Sequence, residues 1–202
     1  MTLITGANKG LGKETARQLV AAGHTVYASA RDEARGRVAA DEVGARFVQL
    51  DVTDDASVAA AFAQIEADGG LDVVVNNAGI GMLALNGPDA LRVFDTNAVG
   101  IIRVTEAALP LLRRSQTPVV VNISSALGSF WANHEPSRPA SKVSAIVYGA
   151  SRAAVSMLTV QYARAVPDVK FNAVEPGYTA TELIGKDGPT GTFREDDGEL
   201  GW

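Results

Sequence analysis

The stretch "TGANKGLG", Thr5–Gly12, comes straight after the first apolar residues of the chain and gathers three glycines and a lysine. Glycine lets a backbone turn sharply, or approach a neighbour, where a side chain would collide. A lysine in such a turn marks an anionic neighbour. The turn is preceded by the apolar "TLIT" (2–5) and followed by an amphipathic run, Leu11–Ala22, that stops at Gly23. The local reading is strand, glycine turn, helix.

Working outward, the same alternation recurs. The segments "TVYAS" (25–29), "RFVQL" (46–50), "LDVVVN" (71–76), "PVVVNIS" (118–124) and "VKFNAV" (169–174) read as buried strands. Between them lie helical runs: Glu33–Val43, closed by Gly44, and "DDASVAAAFAQIEADGG", opened by Asp54 or Asp55 as N-cap and closed by paired glycines. The longest are Asp89–Arg114 and Ala145–Ala165. Strand–helix alternation with continuous apolar strands predicts a parallel sheet covered on both faces. The fold class expected is doubly wound α/β, one domain over residues 1–202.

In that setting the glycine turn has a purpose. The first turn after the first strand is where such sheets bind dinucleotides. Gly6 permits the bend, Gly10 and Gly12 admit a pyrophosphate and close helix packing, and the helix amides face the phosphates. The expectation is a Rossmann-type cofactor turn.

Bulk composition narrows the function further. A net charge of −5 without a basic stripe argues against a nucleic-acid partner. "LLRRS" (111–115) reads instead as a basic helix end, where cations suit the dipole. The absence of cysteine removes disulfides, thiolate metal sites and cysteine nucleophiles, and fits a reducing cytoplasm. No stretch approaches the ~18 apolar residues of a membrane span, and the first residues lack a secretory pattern. The expectation is a cytoplasmic protein with no metal, membrane or nucleic-acid partner.

The ordered motifs give the chain a resemblance to the classical short-chain dehydrogenase/reductase family, whose cofactor loop reads Thr-Gly-xxx-Gly-x-Gly. "NNAG" (76–79) follows the fourth strand, "LDVTD" (50–54) offers the adenine-side acid Asp51, and "FDTNAVG" carries Asn97. "VNISSALG" (121–128) matches the serine segment, "YGASR" (148–152) approximates Tyr-xxx-Lys, and "PGYTAT" (176–181) matches Pro-Gly-xxx-Thr. The resemblance spans nearly the whole chain, with a carbonyl-reductase-like "NKG" turn.

It implies a hydride-transferring oxidoreductase acting on a ketone or aldehyde, or on the alcohol in reverse. The implied catalytic residues are Asn97, Ser125, Tyr148 and Arg152, with Ser125 preferred over its neighbour Ser124. The implied cofactor contacts are Gly6, Asn8, Lys9, Gly10, Leu11, Gly12, Arg31, Asp51, Val52, Asn77, Ala78, Gly79, Tyr148, Arg152, Pro176 and Gly177. Thr179 or Thr181 would stand near the carboxamide.

NAD-specific members usually carry a carboxylate at the end of the second strand. Here Ala30 and Arg31 occupy that place, and Lys9 faces it from the turn, so NADP(H) is the expected cofactor. Asp32, the next residue, is expected to point away.

A phenol titrates near about 10; bringing it to neutrality asks for roughly 4 kcal/mol of preferential phenolate stabilisation. One cation about 4 Å away, at an effective dielectric of about 20, supplies that much. Residue 152 lies one helical turn from Tyr148 and is placed to do so. It is arginine where the family has lysine. The charge survives, while the reach and hydrogen-bond directions change.

Two further departures stand out. The Ser125–Tyr148 interval is longer than the family pattern, and its extra "WANHEPSRPASKV" (131–143) reads as a loop over the site mouth. His134 there and His24 read as ordinary solvated histidines. Between "PGYTAT" and the expected last strand "GPTGTF" (188–193) stand only "ELIGKD" (182–187). That is too few for a helical crossover. Either the substrate lid is absent or residues are missing near Leu183–Gly185. The two longest helices predict a homodimer or homotetramer. The competing expectation is a non-catalytic NADP(H)-binding sensor or interaction protein on the same fold.

Overall fold

The computed structural model describes residues 1–81 and 85–177. Within them six strands form one sheet: β1 (Thr2–Ile4), β2 (Val26–Ala30), β3 (Arg46–Gln49), β4 (Val73–Asn76), β5 (Val119–Ile123) and β6 (Lys170–Val174). Every adjacent pair is parallel. Their order, β3-β2-β1-β4-β5-β6, reverses direction between β1 and β4. In such sheets ligands bind at that reversal, outside the carboxyl ends of the strands. The expected last strand at 188–193 and the short segment 182–187 lie outside the described residues.

The helices are α1 (Gly10–Ala21), α2 (Glu33–Val43), α3 (Asp55–Ala67), α4 (Gly87–Phe94), α5 (Gly100–Leu112), α6 (Phe130–His134) and α7 (Ile146–Ala165). α1 and α2 pack Ala16 and Ala40 over Ile4, Val26, Ala28 and Val75 on one sheet face. α3 and α5 bury Phe62, Ile65, Val104 and Leu112 on the other, against Leu3, Val48, Val74 and Val120, and Tyr162 of α7 joins them. Both faces are thus covered, which is why the strands carry unbroken apolar runs.

The helix starts follow capping chemistry. Asp32 accepts from the Arg35 N–H, Asp54 from those of Ala56 and Ser57, and Asn86 from that of Asp89. Of the helices that open after β1, β2, β3 and β4, α1 alone lacks a side-chain cap: its N-cap is Lys9. Its first amides therefore keep their capacity for an anion.

Two expectations change. The single helix expected over Asp89–Arg114 starts two residues earlier, at Gly87, and is interrupted by a π-turn at Asp95–Val99. The extra material before Tyr148 is not a bare loop: it holds α6 and a 3-10 turn, Pro139–Lys142, with the Arg138 guanidinium 4.4 Å over the Trp131 ring.

A buried polar rung crosses the sheet. Asn76 on β4 donates to Asn122 Oδ1 on β5 at 2.8 Å and to Thr105 Oγ1 on α5 at 3.4 Å. Asn122 in turn donates to Thr159 Oγ1 on α7 at 2.9 Å. All four residues are buried. Replacing Asn122 by alanine removes both of its side-chain hydrogen bonds, although Asn76 keeps Thr105 and Thr159 keeps the Val155 carbonyl. Each lost bond, with its share of the void left behind, costs about 1–2 kcal/mol. Asn122→Ala is expected to cost about 2–4 kcal/mol in urea unfolding, with the denaturant slope unchanged.

Candidate active site

The glycine turn sits at the sheet reversal and is braced by the β4 loop. The Thr5 hydroxyl accepts from the N–H groups of Asn77 and Ala78, at 3.0 and 2.9 Å. The Asn77 side chain donates to the carbonyls of Thr5 and Gly6, at 2.8 and 3.1 Å. Gly6 and Gly10 have φ of +64° and +54°, a region side chains rarely adopt. At Gly12 the constraint is space: a Cβ there would lie 2.4 Å from Asn77 Nδ2 and 2.7 Å from the Gly6 carbonyl. Leu11 is partly buried and packs its side chain against the core cluster under α1.

Beside the turn a shallow groove is lined by Asn8, Lys9, Lys13, Arg35, Val38 and Glu42. Lys13 is paired with Glu42. Arg31 is exposed at the end of β2. Asp32 caps α2 and binds the Arg35 Nε at 3.0 Å. The Arg35 backbone N–H first, then its guanidinium, hold the Asp32 carboxyl below its usual range. Its charge is thereby committed to α2. Arg35 is a cation at this end of the groove that motif reading missed; the signal was its place on the first turn after Arg31.

On the far side, Asp51 Oδ1 accepts from the Thr53 N–H and hydroxyl at 2.9 and 2.7 Å, a closed local turn. Val52 is buried against Gly100, where a Cβ would come within 2.9 Å of Val52 Cγ2.

The four expected catalytic residues converge on the carboxyl ends of β4 and β5. Asn97 lies inside the π-turn and is fully buried. Its side chain accepts from the Ile80 N–H at 2.8 Å and donates to the Ile80 carbonyl at 3.0 Å and to Ser151 Oγ at 3.1 Å. Ser151 then donates to the Tyr148 carbonyl at 2.7 Å. The β4 loop, the π-turn and the first turn of α7 are thus one hydrogen-bonded unit. π-turns interrupt helices at functional sites with some regularity.

Arg152 is only 4% exposed. Its Nη1 donates to the Ile123 carbonyl at 2.8 Å, and its guanidinium carbon lies 5.0 Å over the half-buried Tyr148 ring. Nε is buried and has no hydrogen-bond partner among the described residues. Nη2 comes so close to Gly79 that a Cβ there would lie 2.5 Å from it, and 3.3 Å from Asn97 Oδ1. Gly79 therefore makes room for the arginine.

Ser125 and Ser124 divide the labour. Ser124 is buried; its hydroxyl donates to the Arg152 carbonyl at 3.2 Å and lies 3.0 Å from Ser156 Oγ, tying β5 to α7. Ser125 is half-buried and accepts from the Leu127 N–H at 3.2 Å, opening the 3-10 turn Ala126–Gly128. That turn meets α7 backbone to backbone. A Cβ at Gly128 would fall 2.5 Å from the Arg152 carbonyl carbon, and one at Gly149 2.9 Å from the Leu127 carbonyl oxygen. These two glycines register Ser125 against Tyr148; both lie within the quoted motifs, Gly128 closing "VNISSALG" and Gly149 following Tyr148 in "YGASR".

The remaining expected contacts lie at the end of β6. Pro176 and Gly177 follow it, the latter at φ +72°; Thr179 and Thr181 lie outside the described residues. His134 Nδ1 is 2.7 Å from the Phe130 carbonyl of its own helix, and His24 Nδ1 3.3 Å from Thr2 Oγ1. The described residues hold no cluster of metal-ligating side chains.

The short chain dehydrogenase family model matches residues 1–190. The chain belongs to that family and is an oxidoreductase of the short-chain dehydrogenase/reductase type. Among its relatives, (-)-isopiperitenone reductase of Mentha piperita is 30% identical over 271 residues, covering 93% of this chain and 86% of that protein. (+)-Neomenthol dehydrogenase of Arabidopsis thaliana is 29% identical, covering 92% and 85%. Among solved structures, the NADPH-bound carbonyl reductase from chicken fatty liver superimposes with a TM-score of 0.80 at 29% identity, covering 91% of this chain and 81% of the other. The peppermint match uses 271 positions of a relative against a 202-residue chain, so that relative carries several tens of residues with no counterpart here.

The glycine cradle, the uncapped α1 and the donor-rich floor at Arg152 fit a nicotinamide dinucleotide. Gly128→Ala pushes the Ser125 turn off α7, and a displacement of about 1 Å at a reacting group costs on the order of 100-fold. Its turnover is expected to fall by about that factor while cofactor affinity, titrated by fluorescence, stays within about threefold.

Proposed function

We propose that this oxidoreductase interconverts a small-molecule ketone or aldehyde and its alcohol, using NADP(H) in preference to NAD(H), with Tyr148 as the acid and base. The observation that carries the reading is the single hydrogen-bonded unit of Ile80, Asn97, Ser151 and Tyr148 standing over the buried Arg152. The bound nicotinamide would supply or accept the hydride at the substrate carbon. Tyr148 would give its phenolic proton to the carbonyl oxygen, which stays on the carbon that gains the hydride and becomes the hydroxyl of the alcohol. Ser125 donates a hydrogen bond to the same oxygen. Arg152 holds a positive charge against the tyrosine while the phenolate exists. Its Nε, buried and without a partner among the described residues, would be the donor for a ribose hydroxyl of the cofactor. A buried donor without a partner costs about 1–3 kcal/mol, which such a contact would relieve.

Support for NADP(H) comes from charge. Lys9 and Arg35 line the groove beside the cofactor turn, Arg31 is exposed at the end of β2, and the Asp32 carboxylate caps α2 and pairs with Arg35. A guanidinium can pair with a phosphate through two parallel hydrogen bonds. The chicken carbonyl reductase was solved with NADPH. We further infer a cytoplasmic homodimer or homotetramer; sedimentation at working concentration tests the assembly.

Tyr148→Phe is expected to lower turnover by at least about 1000-fold on a panel of ketones and aldehydes, with cofactor affinity within about threefold. Turnover near that of the wild type would remove Tyr148 from the acid's role. Arg152→Lys is expected to keep or raise activity. Arg31→Asp is expected to raise the KM for NADPH about tenfold while leaving that for NADH within about threefold. An unchanged preference would show that charge at this end does not select the cofactor.

A further inference from the structure

Arg103 on α5 is a cation placed between two parts of the site that lie far apart along the chain. Its Nε meets Asp55 Oδ1 at 2.8 Å, at the start of α3. Its Nη1 donates to Asp95 Oδ1 at 2.8 Å, in the π-turn that carries Asn97, and to the Val52 carbonyl at 3.3 Å, in the adenine-side loop. Three acceptors from three segments converge on one planar fork, a geometry that guanidinium satisfies and ammonium does not. Gly100, one turn before Arg103, leaves the space that the Val52 side chain fills, so loop and helix also pack together there. The side chain of Arg103 is mostly covered. Chiefly its hydrogen bond to Asp95, against the opposing effect of burial, holds the guanidinium above its ordinary value, and the charge persists at any working pH.

We propose that Arg103 is a positioning residue that couples the adenine-side loop to the π-turn, so that cofactor binding at Val52 and the alignment of Asn97 reinforce one another. It touches neither substrate nor the reacting atoms; it acts through Asn97. This rests on the oxidoreductase reading above and extends it to how the two ends of the site communicate.

The test uses Arg103→Met, which keeps the stem and removes the fork, and Asp95→Asn, which weakens the link at the π-turn alone. Each is made in the wild type and in Asn97→Ala. Coupled neighbours are non-additive on a scale of tenfold or so. Arg103→Met is expected to raise the NADPH dissociation constant about fivefold and lower kcat about tenfold in the wild type. In Asn97→Ala the affinity loss is expected to persist and the kcat loss to vanish. Asp95→Asn is expected to lower kcat with the smaller effect on affinity. A kcat loss of equal size in both backgrounds would mean general loosening and overturn the proposal, as would an unchanged dissociation constant.

Should the wild type bind neither NADPH nor NADH, the oxidoreductase reading fails. The strap is then judged by hydrogen exchange of the ligand-free protein. Arg103→Met must speed exchange at residues 52–54 and 95–99 together; a change confined to one segment overturns it.

Discussion

The contact on which the rest of the molecule depends is the brace between the ends of β1 and β4. Thr5 offers its hydroxyl to two backbone amides of the "NNAG" loop, and Asn77 returns its side-chain amide to two carbonyls of the glycine turn. A sheet whose order reverses between β1 and β4 leaves a crevice at this point. Polar backbone in a crevice must find partners or remain wet. The reciprocal pairing satisfies it, and so sets how closely α1 approaches the neighbouring strand. Gly12 is a consequence: with Asn77 held there, no side chain fits at position 12.

A second principle governs the reacting end, where backbones meet with nothing between them. Gly79, Gly128 and Gly149 each yield the volume that an arginine or a carbonyl occupies. Protein interiors tolerate few voids and little overlap, so these glycines fix distances that flexible side chains could not. The arginine at 152 is accommodated by the same means. Its fork reaches the Ile123 carbonyl under the Tyr148 ring. It therefore binds β5 to α7 as well as carrying charge, which a lysine would do through a single ammonium.

Much of this was legible in the sequence because it is local. Each strand falls within two residues of its apolar run, and Gly44 ends α2 in the left-handed conformation that a C-terminal glycine is suited to supply. Asp54, rather than Asp55, caps α3 by accepting from two amides. The four residues of the proposed catalytic group, Asn97, Ser125, Tyr148 and Arg152, were singled out through short local motifs that the family resemblance supplies. What escaped reading depends on distant partners. The π-turn at Asp95–Val99 looks like ordinary helix in the chain, since its cause is Asn97 reaching Ile80 and Ser151. Arg103 and Arg35 look like solvated surface charges until the segments they join are brought together. Helix α6 hid in a stretch whose prolines and polar residues read as coil.

The asparagine rung across the sheet carries a consequence for how this protein can vary. Asn76 and Asn122 are also partners in the β4–β5 ladder, so side-chain and main-chain pairing must agree. Adding or deleting one residue in either strand would rotate its asparagine to the opposite face. It would also shift the height at which the Gly79 loop and the serine pair emerge. Lineages of this chain are therefore free to exchange one aliphatic residue for another along β4 and β5, while the lengths of those two strands are frozen.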